Sequence, residues 1–204
     1  MDKPVIRFGI GALLIYGALT LAWPLLKTPY SSFYRGIGNT FFAAFGSEVS
    51  AQFVPWTGED EIKDTDVVLR NRSVQGTHAR MPTSSRYDAY VPTCVVVALI
   101  LASPIPWRRR LLALIWGLIL VYAFLLFRLS MAIINTMSDP GALQAFDLAP
   151  AVKAMIAFFV LHIMGSLIAS SYIVPVFIWL VVTFRRQDWD RLRAASTSWN
   201  SNPA

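Results

Sequence analysis

Apolar positions fall in long blocks along this chain, parted by short basic or turn-rich breaks and by one extended polar segment. The first block runs from about Phe8 to Leu26, near the roughly 20 apolar residues that one bilayer crossing needs. A Phe-rich, glycine-broken stretch follows, YSSFYRGIGNTFFAAFGS. Its mixed polarity predicts an interfacial helix. Polar positions then dominate from Glu48 to Asp88. Within them SAQFVPW and Val67-Val68-Leu69 have the composition of short strands bounded by turn residues. The segment is too short to hold a core of its own. A small β element resting on the helices is the expectation.

The second apolar block, from about Tyr90 to Ser103, stops at PIPWRRR. The third runs from Leu111 to about Ile134 and ends before the turn-rich DPGALQAFDLAP, which reads as an excursion. The last block, Val152 to Phe184, is longer than one crossing requires. It predicts a surface-lying start followed by a crossing, with Ser170, Ser171 and Pro175 as candidate kinks, since proline removes a helix hydrogen bond. The pattern therefore predicts an all-α integral membrane protein: about four transmembrane helices, an interfacial helix and a small extracytoplasmic β element. Residues 1–47 would hold the first span and the interfacial helix, 48–89 the β-containing segment, 90–184 the remaining spans, and 185–204 a polar tail.

Composition agrees with this reading. The chain is 55% apolar and 15% charged, against roughly 25% charged in soluble domains. A single Cys excludes an internal disulfide framework. The net charge of +6 comes from basic residues beside the spans, namely Arg108 to Arg110, Arg185-Arg186, Lys3 and Arg7. In that position they report topology, not nucleic-acid binding. They put both termini in the cytoplasm and residues 48–89 outside. The N-terminal run lacks a small-x-small cleavage site and reads as a retained span. Membrane lipid is one expected partner. The chain shows no Gly-rich phosphate loop and no metal-ligand spacing, so no cofactor or metal is expected. His78 is read as a loop residue without a ligand neighbour, and Glu59-Asp60-Glu61 as a solvated loop.

Three residues carry candidate chemistry. Arg128, in AFLLFRLSMAII, is a fixed charge inside an apolar run. Such a charge costs several kcal/mol in hydrocarbon and is expected to face protein or water. Cys94 lies near the outer end of the second span, and His162 near the outer part of the last block. All three fall at a similar depth below the β-containing segment, although depth does not establish contact. A Cys activated by His, beside an Arg that holds developing charge, could cleave or transfer an acyl group. Each also has a bland reading. Cys94 would be a small buried hydrophobe, His162 an interhelical hydrogen-bond partner, and Arg128 a snorkelling cation.

The stretch PIPWRRRLLALIWGLILVYAFLLFRL, Pro104 to Leu129, resembles the exosortase and archaeosortase family of multi-span membrane transpeptidases. That family carries a similar Pro-rich Trp-Arg turn, a Gly-containing helix and an Arg near its outer end. His162 followed by Gly165 is similar to the family's His and Gly. Here LLFRL keeps the Arg but lacks the Asn that usually precedes it. Counting back from the turn, the family's nucleophilic Cys would fall near Tyr87 or Asp88, within SSRYDAYVPT, which has no thiol. Cys94 lies deeper and is followed by Val95-Val96-Val97. The chain is thus most similar to exosortase-associated membrane proteins that lack the nucleophile.

The resemblance ranks a non-catalytic accessory protein first, one that binds a sorting enzyme or its C-terminally anchored substrate in the bacterial inner membrane. Arg128 and His162 would then serve substrate or partner binding. Whether the chain is an enzyme stays open: a cysteine transpeptidase or protease would use Cys94, Arg128 and His162. A third alternative is a structural membrane protein unrelated to sorting.

Overall fold

The computed structural model describes residues 3–43, 49–71, 78–138, 148–164, 166 and 168–184. Helix α1 (Lys3–Leu21) and helix α2 (Trp23–Phe42) meet at a bend of 74°. The single span expected over Phe8 to Leu26 is therefore broken at Ala22. Pro24 stands in the first turn of α2, where a missing N–H is harmless and a fixed φ suits a restart.

Strands β1 (Val49–Pro55), β2 (Thr65–Asn71) and β3 (His78–Thr83) form an antiparallel sheet in the order β1-β2-β3. The first two are the strands that the sequence predicts. The third corrects the loop reading of His78, which pairs with Arg70 and is exposed. Its residues HARMPT alternate poorly and carry a proline, so its strand character comes from pairing with β2.

A π-helical turn, Arg86–Tyr90, runs into α3 (Val91–Ala102). Helix α4 (Trp107–Met137) follows the basic turn. The last apolar block divides into α5 (Pro150–Phe158), continued by a π-helical turn Phe159–Met164, and α6 (Val174–Thr183), preceded by another, Ala169–Ile173. Among the described residues α4 is the one helix both long and apolar enough to cross a membrane alone. The bent pair of α1 and α2 passes the same test jointly.

Helix α4 is the spine of the molecule. Its buried residues are Ala113, Gly117, Val121, Leu125, Leu129, Ile133 and Met137. Every fourth residue advances about 40° beyond a full turn, so this stripe spirals around the helix. At the start of α4, Ala113 and Val121 pack with Val96, Ile100 and Ile178. Toward its end, Leu125, Leu129, Ile133 and Met137 pack with Tyr34, Phe42, Phe53, Val67 and Leu69. One helix thus joins the bundle to the sheet. Its other face is apolar too, with Leu111, Leu112, Ile115, Trp116 and Ile119 exposed. Apolar residues both inside and outside are what a helix in lipid presents.

The basic turn also has an internal task. Arg110 donates to the Ser103 carbonyl at 2.8 Å and Arg109 to the Thr183 carbonyl at 2.8 Å. Cations thereby sit on the carbonyl ends of α3 and α6, where the helix dipoles favour them.

The sheet is fastened to α2 through one glycine and one asparagine. Asn39 donates to the Phe53 carbonyl at 3.1 Å and accepts the Phe53 N–H at 2.8 Å, which closes the outer edge of β1. Beside it, a Cβ on Gly38 would lie 2.7–2.8 Å from the Phe53 ring. That ring is 3% exposed and is packed against Tyr34 and Phe42. Gly38→Ala is therefore expected to destabilise the fold by about 1–3 kcal/mol, as overpacking does. Thermal unfolding in detergent checks this; an unchanged midpoint would contradict the contact.

Candidate functional site

The chain leaves β3 through Ser84 and Ser85 and enters the π-helical turn that carries Asp88. Asp88 sits in the first turn of this helical segment, where a carboxylate complements the exposed N–H groups. Its Oδ2 accepts the Ser84 N–H at 3.2 Å, and its own N–H returns to the Ser84 carbonyl at 2.9 Å. Its Oδ1 meets Arg128 Nη2 of α4 at 2.9 Å. The two side chains are only 14% and 17% exposed, so this ion pair is largely screened from solvent. Burial pushes the Asp88 carboxyl above the ordinary carboxylate range, and the Arg128 guanidinium and the Ser84 N–H pull against that rise.

A cavity of about 500 Å³ opens beside the pair. Lys63, Met81, Ser84, Asp88, Leu125 and Arg128 are among the residues lining it. Two of these residues each hold a buried polar atom without a hydrogen-bond partner, Arg128 Nη1 and Ser84 Oγ. Lys63 at the rim is held by Asp60 at 3.3 Å.

One carboxylate positions the turn that carries Asp88. Asp64 accepts the Ser85 N–H at 2.9 Å, the Ser85 hydroxyl at 2.6 Å, the Ser31 hydroxyl at 3.2 Å and the Thr65 hydroxyl at 3.0 Å. Its backbone carbonyl accepts from Arg35 at 3.3 Å. Helix α2, strand β2 and the entrance to α3 are thereby tied at a single residue.

The three sequence candidates do not share this site on equal terms. Arg128 is its centre. Cys94 is 3% exposed and packs with Trp23 and Tyr90, flanked by Tyr16, Leu19 and Tyr30. It is not among the residues lining the cavity. His162 belongs to the π-helical turn Phe159–Met164, but its side chain, like Gly165, lies outside the described residues. Asp88 is the residue that reading from sequence missed as a partner. A signal for it existed: a buried Arg in an apolar run calls for a carboxylate, and Asp88 is the acid nearest the start of a span. Among the described residues no three of His, Cys, Asp and Glu come together as metal ligands.

The family model for exosortase H-associated membrane proteins matches residues 2–186. The chain belongs to this family. No curated protein and no solved structure matched it. The match takes in the bent helix pair, the sheet and the helices through α6, so this exosortase H-associated membrane protein carries its ion pair and cavity within the family's own frame. Met1 and residues 187–204 fall beyond the match. Membership agrees with the exosortase-like turn and Arg at Pro104 to Leu129.

Proposed function

We propose that this protein is a non-catalytic accessory of an exosortase, the one its family name couples it to, and that it binds that enzyme or the enzyme's C-terminally anchored substrate. One observation carries the reading. The resemblance expects a nucleophilic Cys near Tyr87 or Asp88, where there is no thiol, and Asp88 instead binds the Arg that would otherwise stabilise a developing charge. A carboxylate paired with a guanidinium at 2.9 Å is a structural pair, not an activated nucleophile. Cys94, buried among aromatic rings, has none of the electropositive, accessible surroundings that activate a thiol.

The proposed setting is the bacterial inner membrane, with four crossings, both termini cytoplasmic and residues 48–89 outside. The exposed apolar faces of α1, α4 and α6 and the basic turn before α4 support it. The Asp88–Arg128 pair then lies at the outer mouth, before the chain enters the bilayer.

The test is genetic complementation with a biochemical readout. Deleting the gene is expected to impair processing of an anchored substrate, and the Cys94→Ala chain is expected to restore it fully. The tagged protein is expected to co-purify with the exosortase. A Cys94→Ala chain as inactive as the deletion would overturn the accessory reading in favour of a cysteine transpeptidase using Cys94, Arg128 and His162. Normal processing without the gene would favour a structural protein unrelated to sorting.

A further inference from the structure

The sheet has two edges, and they are treated differently. Asn39 occupies both backbone groups of Phe53 on the β1 edge. Phe53 therefore points its N–H and carbonyl away from β2. Antiparallel pairing alternates, so Val67, opposite Phe53, directs its backbone groups to β3, where it pairs with Met81. Arg80 and Pro82 must then turn theirs outward. The free edge of β3 offers the Arg80 N–H and the carbonyls of Arg80 and Pro82. Pro82 has no N–H to offer, as is usual at an edge. Among the described residues no side chain caps this edge as Asn39 caps the other.

The cavity adjoins that edge, since Met81, Pro82 and Ser84 line it together with Leu125 and Arg128. Ser84 is 8% exposed and its hydroxyl has no partner; Arg128 Nη1 has none either. Buried donors left unpaired are costly, and an incoming acceptor relieves that cost. The charge balance decides which acceptor. Arg128 is already neutralised by Asp88, and Lys63 by Asp60. A second carboxylate or a phosphate would therefore bring an uncompensated negative charge, which a largely apolar cavity disfavours. A neutral carbonyl carries no such penalty.

We infer that the cavity and the free edge of β3 together bind an extended, uncharged peptide segment of a partner protein, which adds beside β3 and places one backbone carbonyl on Arg128 Nη1 and Ser84 Oγ. Strand addition supplies the affinity through Arg80 and Pro82, and apolar side chains of the segment lie against Met81 and Leu125. Naming the partner as an exosortase or its substrate rests on the accessory reading above; the peptide chemistry does not.

The probe is a fluorescently labelled acetyl-Ala-Val-Ala-Val-Ala-amide, followed by anisotropy on the full chain in detergent. The comparison ligands are the same peptide with Glu at its centre and dodecanoate. The neutral peptide is expected to bind, and more tightly than either anionic ligand. Arg128→Lys keeps a cation for Asp88 but removes Nη1, and is expected to weaken the peptide about tenfold, the scale of one hydrogen bond to a charged group. Arg80→Pro deletes the edge donor and the 3.8 Å ion pair to Asp66 but leaves the β2–β3 backbone bonds in place, and is expected to weaken binding several-fold, whereas Arg80→Ala, which loses the same ion pair and keeps the N–H, is expected to bind as the wild type does. Should Arg128→Lys prove polydisperse by size exclusion, Ser84→Ala takes its place, with a smaller loss expected. Undiminished binding in the variants expected to weaken it, tighter binding of an anionic ligand, or no binding of the neutral peptide at millimolar concentration would overturn the inference. Failure here alongside intact co-purification with the exosortase would leave the accessory function standing. Peptide binding without co-purification would remove that function and keep the site.

Discussion

Asp88→Ala is expected to destabilise the protein by about 3–5 kcal/mol, because it leaves the Arg128 guanidinium buried without its counter-ion. Arg128 lines the cavity with Leu125 and Leu129 and is only 17% exposed, so it has little water to turn to. The loss is a property of the orphaned charge and not of the pair's net attraction. Removing both charges together, in Asp88→Asn with Arg128→Gln, is therefore expected to recover most of it. An amide pair can still hydrogen-bond across the same gap, and desolvation of two ions disappears. Denaturant unfolding in detergent of the wild type, Asp88→Asn, Arg128→Gln and the double variant gives the coupling directly, with Asp88→Ala measured beside them. A single-variant loss within about 0.5 kcal/mol, as for a surface substitution, would show that the pair is not screened as the structure has it.

Asp64→Ala comes next in size, with an expected loss of about 3 kcal/mol. Four donors, the Ser85 N–H and the hydroxyls of Ser85, Ser31 and Thr65, converge on this carboxylate. Hydrogen bonds to a charged acceptor contribute about 1.5–3 kcal/mol each. Their sum overstates the effect, because Ser31 and Ser85 still reach each other at 3.0 Å and Ser31 keeps the Lys27 carbonyl at 2.7 Å. The loss should be local as well as global. The loop from Trp56 to Asp64 hangs on the Trp56 N–H to Asp64 carbonyl bond and on this cluster. Limited proteolysis near Gly58 to Glu61 is expected to accelerate in Asp64→Ala before the helices unfold. Asp64→Asn, which keeps one acceptor oxygen for the Ser85 N–H, should fall between wild type and alanine. Equal proteolysis rates for all three chains would mean that the residue does not tie α2, β2 and the turn together.

Both predictions concern residues that the apolar pattern treats as ordinary polar positions. What that pattern reads well is local. SAQFVPW and Val67 to Leu69 alternate or cluster as strands do, and β1 and β2 form there. HARMPT does not, and β3 exists because β2 presents it a ladder. The first apolar block looks continuous because periodicity carries no information about direction, yet Pro24 lets the chain turn by 74°. The long final block shows its excess length but not where it divides. For Cys94, Arg128 and His162 the sequence offers an expected depth, from counting along a helix, and nothing about direction. Which way each side chain faces follows from packing, and that directs Cys94 to Trp23 and Tyr90 and Arg128 to Asp88.

By itself, then, the sequence determined the helical class, the small sheet's first two strands and the oddity of a cation at position 128, while the thiol missing near Tyr87 or Asp88 is what the family resemblance implies. These are statements about single residues or about runs whose period is set by the backbone. The tertiary structure alone decided that Arg128 is answered by Asp88, that one β edge is capped and the other open, and that a cavity adjoins the open one. Each of these depends on how segments distant in sequence dock, and docking is governed by shape and charge at the contact, which neither residue encodes alone.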